Sequence, residues 1–148
     1  MEELKKSEVL CKEIDLIQSC INRMAQNSFI IKGWFISLIA VILTLLPEKF
    51  NINILYSICF IISFCFWYLD AFFLKTERLY RFKYQWVITE RLKNDNYFYD
   101  LNPHNRNMWY DKNGKIPAEP NIIQVMFSKT LLPIYLPIII LIIVLIHL

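Results

Sequence analysis

A carboxylate stands where the surrounding sequence offers it no water. Asp70 lies in the stretch 60–81, FIISFCFWYLDAFFLKTERLYR, between Leu69 and Ala71 and five residues before Lys75. A charge inside an apolar helix is costly unless it is paired or wetted, so such a residue marks a structural or functional site. The available partners are Lys32 and Arg23, which flank a polar cluster containing Asn22, Gln26, Asn27 and Ser28. Two arrangements satisfy Asp70. One is a structural pair with Lys32 or Arg23 that fixes how the helices leave the membrane. The other is a polar ring at a pore mouth, formed when several copies assemble. Glu77, Arg78 and Arg81 continue the polar set along the same helix.

Other reactive types are sparse. His104 and His147 are the only histidines, and neither sits in a Ser/His/Asp, Cys/His or H-E-x-x-H pattern. Cys11, Cys20, Cys59 and Cys65 form no C-x-x-C pair and read as reduced thiols used as small apolar groups. Two glycines are too few for a phosphate-cradling loop. Asp111, Asn113 and Gly114 mimic the start of a calcium loop. The glycine comes two positions early and the closing Glu is missing, so the segment reads as a turn. No catalytic residue, cofactor or metal ligand is expected, and the chain reads as non-enzymatic.

The elements around these residues are legible from composition. The 148 residues are 56% hydrophobic and 16% aromatic. The apolar residues are bunched, which suits membrane spans with aqueous flanks better than one dispersed core. The 16 Lys+Arg nearly balance 13 Asp+Glu, and no basic run is interleaved with aromatics, so nucleic-acid binding is not expected. The N-terminal thirty residues are too polar for a cleavable signal, so insertion falls to the first span.

Residues 1–28 read as an amphipathic helix. Leu10, Ile14, Ile17, Ile21, Met24, Ser28 and Ile31 alternate four and three apart, a heptad seam with Glu13 and most other charges off it. The seam fits either the chain's own later helix or a second subunit. Residues 29–46 form the first span, with Lys32 free to snorkel, Trp34 at the interface and Gly33 suited to close helix approach. Pro47 stops it, and the short turn makes the second span, 52–74, antiparallel; Trp67 and Tyr68 mark an aromatic belt. Residues 75–94 continue as a helix in which Glu77 pairs with Arg81. Residues 95–126 are an aromatic-rich loop with a strong turn at Asn113-Gly114, from which MWYDKNGKI can form a small hairpin. Tyr97, Tyr99, Trp109 and Tyr110 there belong to an ordered cap or to a surface that meets a partner. Residues 127–148 carry a third span, short and with Pro133 and Pro137 in its first turns; an interfacial helix is the alternative. Lys and Arg crowd the N-terminal and central segments, while the short turn has only Lys49. The positive-inside rule then puts the N-terminus in the cytoplasm and the C-terminus outside. The fold class is an all-α membrane protein: a transmembrane hairpin, a third span, and helical extensions packed as a small cytoplasmic bundle.

Three fragments carry a resemblance: INRMAQNSFIIKGWFISLIAVI (21–42), FWYLDAFFLKTERLYRFKY (66–84) and MFSKTLLPIY (126–135). They resemble a family of small bacterial membrane proteins, mostly of unassigned function. The pattern is R-M-A-x-N-S and K-G-W, then W-x-L-D-x-x-x-L-x-x-E-R-L-Y-R, then F-S-K-T-L. The arrangement is also similar to the SLATT-type two-span effectors of phage-defence systems. The resemblance implies a membrane effector that oligomerises and perturbs the bacterial inner membrane when triggered, with a cytosolic partner from the same system. It carries over Arg23, Asn27, Ser28, Lys32, Gly33, Trp34, Trp67, Asp70, Glu77, Arg78, Arg81, Ser128 and Lys129. The alternative is a membrane anchor that recruits a cytosolic protein.

Overall fold

The structure, a computed structural model, describes residues 2–45 and 51–147. Those residues form four α-helices and no strand: α1 (Glu2–Leu45), α2 (Ile52–Glu90), α3 (Ile122–Met126) and α4 (Leu132–His147), with one 3-10 turn at Arg106–Met108. No Pro falls within α1 or α2, and the single Gly in them, Gly33, costs only about 1 kcal/mol against Ala, so each runs unbroken through its change of polarity. The turn expected at residues 47–51 lies outside the described residues, apart from Asn51.

The chain divides into two compact units, to which both long helices contribute. The polar unit is Met1–Ala25 with Lys75–Pro120; the apolar unit is Gln26–Leu74 with Asn121–Leu148.

In the polar unit the heptad seam of α1 has its occupant. Ile17 and Cys20 are buried against Tyr80, Trp86 and Val87 of α2 and Met108 of the loop, and Leu10, Ile14, Ile21 and Met24 pack around them. Within the chain the seam therefore serves internal packing. The loop after α2 is ordered by its own side chains. Carboxylate or amide oxygens of Asn94, Asp100, Asn102, Asn105 and Asp111 each accept the backbone N–H two residues on. This is the Asx turn, which explains why an Asn- and Asp-rich segment holds a fixed path. At 111–115 the turn forms, with Gly114 at φ 73° and Asp111 N–H donating to Lys115 O. The hairpin does not: beyond the 111/115 pair the next ladder pair would be Trp109 with Pro117, but Trp109 N–H donates to Arg106 O and Pro117 has no N–H.

In the apolar unit, Phe35, Ile39 and Ile42 of α1 meet Leu55, Cys59, Trp67 and Ala71 of α2 and Val125, Met126, Leu131, Tyr135, Ile139 and Ile142 from α3 and α4. Trp67 is buried here, stacked on Tyr135 and donating from Nε1 to Met126 O at 2.9 Å. It is a core residue; of the expected belt pair, only Tyr68 is exposed. Asn121 caps α3 by accepting Ile123 N–H. A hydrogen-bonded turn at 127–131 separates α3 from α4. The C-terminal segment is thus two helices, and α4, at 16 residues, is about 24 Å long. α1 and α2 are long and apolar enough to cross a membrane.

Candidate functional site

Asp70 is fully buried in the apolar unit and both its oxygens are engaged. Ser28 Oγ donates to Oδ1 at 2.5 Å, and Tyr135 OH donates to Oδ2 at 3.0 Å. Lys32 Nζ lies 3.0 Å from Oδ1 and 2.8 Å from Oδ2 and also donates to Ser28 Oγ at 2.6 Å. Ser28 and Lys32 are four apart, so α1 presents both on one face. α2 supplies Asp70 and α4 supplies Tyr135 from its first turn. Three helices are thereby joined at one carboxylate. Each ligand is a donor, as a buried carboxylate requires. Lys32 turns inward to the pair instead of snorkelling outward. Within the chain, both oxygens of Asp70 are engaged, the arrangement that a structural pair with Lys32 requires.

Arg23 takes no part, since its guanidinium lies 3.7 Å from Cys20 Sγ in the polar unit. Asn27 is half-buried and makes no hydrogen bond to the Asp70 cluster. Gly33 is exposed, and a Cβ there would meet nothing within 4 Å, so the close helix approach expected of it is not made within the chain. Trp34 beside it is exposed.

The polar unit holds one fully buried ion pair and one half-buried pair that the sequence did not mark. Arg91 is buried between the rings of Trp86 and Phe98, 5.1 and 4.8 Å from their centroids. Its Nε binds Glu13 Oε2, and its Nη2 donates to Glu13 Oε1 and Tyr97 O, each at 3.0 Å. Its Nη1 donates to Asn94 O and Asn96 O. All five guanidinium donors are used. Glu13, expected off the seam, is buried, and its Oε1 also accepts Tyr99 N–H at 2.6 Å. Tyr97 and Tyr99 both adopt positive φ, 60° and 53°, which costs a non-glycine residue about 1–3 kcal/mol. The Glu13–Arg91 pair grips the backbone at both and holds that strain.

The second pair is Lys83 with Asp100, at 3.3 Å, where Lys83 Nζ also donates to Asn102 O at 2.9 Å. Burial holds the Lys83 ammonium below its usual range, against the opposing pull of Asp100. Burial works against Asp100 as well, but hydrogen bonds from Asn105 and Asn102 and the charge of Lys83 bring its carboxyl below the usual carboxylate value. Glu119 bridges Lys75 and Arg106, each at 2.7 Å, and these hydrogen bonds hold its pKa at about 2.

The remaining expected residues scatter. Glu77 and Arg81 pair at 2.6 Å as their spacing requires, and Arg78 is half-buried on the same helix. Of the aromatic loop residues, Tyr97 and Tyr99 are exposed, but Trp109 is 1% exposed, donating from Nε1 to Pro103 O, and belongs to the fold and not to a partner surface. Tyr110 is half-buried. Ser128 Oγ is buried with no hydrogen-bond partner in the turn between α3 and α4, and Lys129 beside it is exposed. The four cysteines are free, with Cys20 and Cys59 in the two cores. Among the described residues, no group of three or more His, Cys, Asp or Glu is placed to hold a metal ion. Comparison of the chain with protein-family models, with curated proteins and with solved structures finds no match.

Proposed function

We propose that the chain is a multi-pass protein of the bacterial inner membrane that acts without enzymatic chemistry, as an effector of a phage-defence system, assembling with its own copies and perturbing the bilayer when triggered. The observation that supports this best is the outer surface of the apolar unit. Phe29, Trp34, Ile36 and Val41 of α1, Ile54, Ile61 and Phe64 of α2, and Leu141 and Val144 of α4 are all exposed. An apolar face of that extent on a helical unit fits lipid better than water. The polar unit, rich in Lys and Arg, then lies in the cytoplasm, and α4 carries the C-terminus outward as a third span.

The effector role rests on the resemblance in helix order and in the R-M-A-x-N-S, K-G-W and E-R-L-Y-R fragments. The seam of α1 is filled internally, so assembly falls to the open side of α1 at Gly33, where a second copy's helix has room. Purified protein in dye-loaded vesicles of bacterial lipid tests the reading, with its mass in detergent measured in parallel. A closed assembly and dye release are expected. A monomer that leaves the vesicles intact would overturn the effector reading.

A second reading, an anchor that recruits a cytosolic protein, is favoured by one feature. Tyr97, Phe98 and Tyr99 are exposed together on a loop held in strained geometry. Strain retained at exposed aromatics is consistent with a recognition surface. Recovery of one soluble partner with the wild-type chain, and its loss from Tyr99→Ser, would favour the anchor.

A further inference from the structure

A cavity of about 640 Å³ opens in the polar unit, between one face of α1, one face of α2 and the turn at 110–112. That volume falls within the roughly 300–1,000 Å³ of small-ligand sites. Tyr84 and Tyr110 also pack on the core of this unit and Arg81 also pairs with Glu77, and the chemistry of the lining is of three kinds. Gln18, Asn22 and Gln85 bring side-chain amides. Tyr84 and Tyr110 bring rings. Arg81 and Lys112 bring cations. Asp111 also lines it, but its carboxylate accepts the N–H groups of Asn113 and Lys115 and is committed to its own turn.

From this set we propose that the cavity binds a nucleoside phosphate. Amide side chains offer the paired donor and acceptor that read the edge of a base. Tyrosine rings offer stacking surfaces for any base. Arg and Lys recognise phosphate as fork and point charge. Glu77 takes Arg81 Nε and Nη2, which leaves Arg81 Nη1 and the exposed Lys112 for an anion. The frame is pre-formed, since Tyr110 N–H is fastened to Phe82 O and the 111–115 turn is closed by its own hydrogen bonds. A pre-formed frame spares a ligand the ordering cost. The site is independent of whether the chain acts as effector or anchor.

Titration calorimetry of the detergent-purified full chain tests it, with AMP, GMP, CMP and UMP as probes and the four matching nucleosides and inorganic phosphate as fragments. At least one monophosphate is expected to saturate below millimolar concentration, with the matching nucleoside and free phosphate each at least tenfold weaker. Lys112→Gln, at an exposed position, is expected to weaken the monophosphate about tenfold and leave the nucleoside unchanged. Gln85→Glu is expected to weaken both. Either variant is scored only with wild-type helicity and elution volume; Lys112→Gln suffices alone. No saturable binding of any monophosphate to the wild-type chain, or equal binding of phosphate alone, would overturn the proposal. So would a Lys112→Gln protein that binds as wild type.

Discussion

At the scale of single residues, the chain resolves its most expensive group by saturation. Asp70 receives three donors, and Lys32 neutralises it at 2.8 Å. A buried pair adds little net stability, but removing one partner strands the other charge at about 3–5 kcal/mol. Asp70→Asn is therefore expected to lower the melting temperature of the detergent-purified protein strongly. Lys32→Met combined with Asp70→Asn is expected to recover part of the loss, and a double variant no better than the single would show that charge is not the issue. Beside Asp100, whose carboxyl is also held low, Glu119 contributes to the acid limb. Its folded pKa, about 2, lies below the ordinary 4.5, so its contribution is complete above pH 4.5 and is lost as pH falls toward 2. Glu119→Gln is expected to make melting temperature less steep against pH in that window, and an unchanged profile would assign the acid limb to Asp100. Asp70 and Lys32 were legible because each breaks an apolar run. Tyr135 was not, since a tyrosine in an apolar helix reads as an interface residue until another helix brings a carboxylate to it. Glu13 was hidden among the charges of the first fifteen residues, and its burial depends on Arg91, 78 positions away.

At the scale of elements, periodicity gave the stripe on α1 but not its partner, because own helix and second subunit need the same pattern. The structure assigns the stripe to α2 and Met108. Ile17 is buried at its centre, while Leu16 beside it is exposed. Ile17→Ala is expected to cost about 2–5 kcal/mol by cavity formation. Leu16→Ala should cost almost nothing, and neither should change the mass of the assembly. A change of assembly mass in Ile17→Ala, with the fold retained, would return the seam to the subunit interface. Local signals also gave the turn at Asn113-Gly114 and overreached on the hairpin. Turn chemistry lies in four residues, but strand pairing needs free backbone on both sides; Trp109 N–H is taken by Arg106 O, and Pro117 opposite it has no N–H to give. The break at 127–131 has no Gly to announce it; Pro133 only biases the preceding residue away from helix.

At the scale of the whole molecule, the question is whether α4 crosses. Its 16 residues reach about 24 Å, short of the roughly 30 Å of hydrocarbon, and Pro137 lies within it. Two facts favour crossing. Ile139 and Ile142 are buried in the same core as Phe35 and Cys59, while Ile140, Leu141, Ile143 and Val144 are exposed beside them. An interfacial helix has one polar face, and α4 carries no charged residue through Val144. A local thinning of the bilayer costs only fractions of a kcal/mol per Å of mismatch, less than leaving that surface in water. Reporter fusions decide it. Alkaline phosphatase fused after Leu148 is expected to be active, and green fluorescent protein inserted in the 111–115 turn is expected to fluoresce, which together require an odd number of crossings. An inactive phosphatase with a fluorescent turn would leave α4 lying on the membrane, reduce the spans to α1 and α2, and put the C-terminus on the same side as the polar unit.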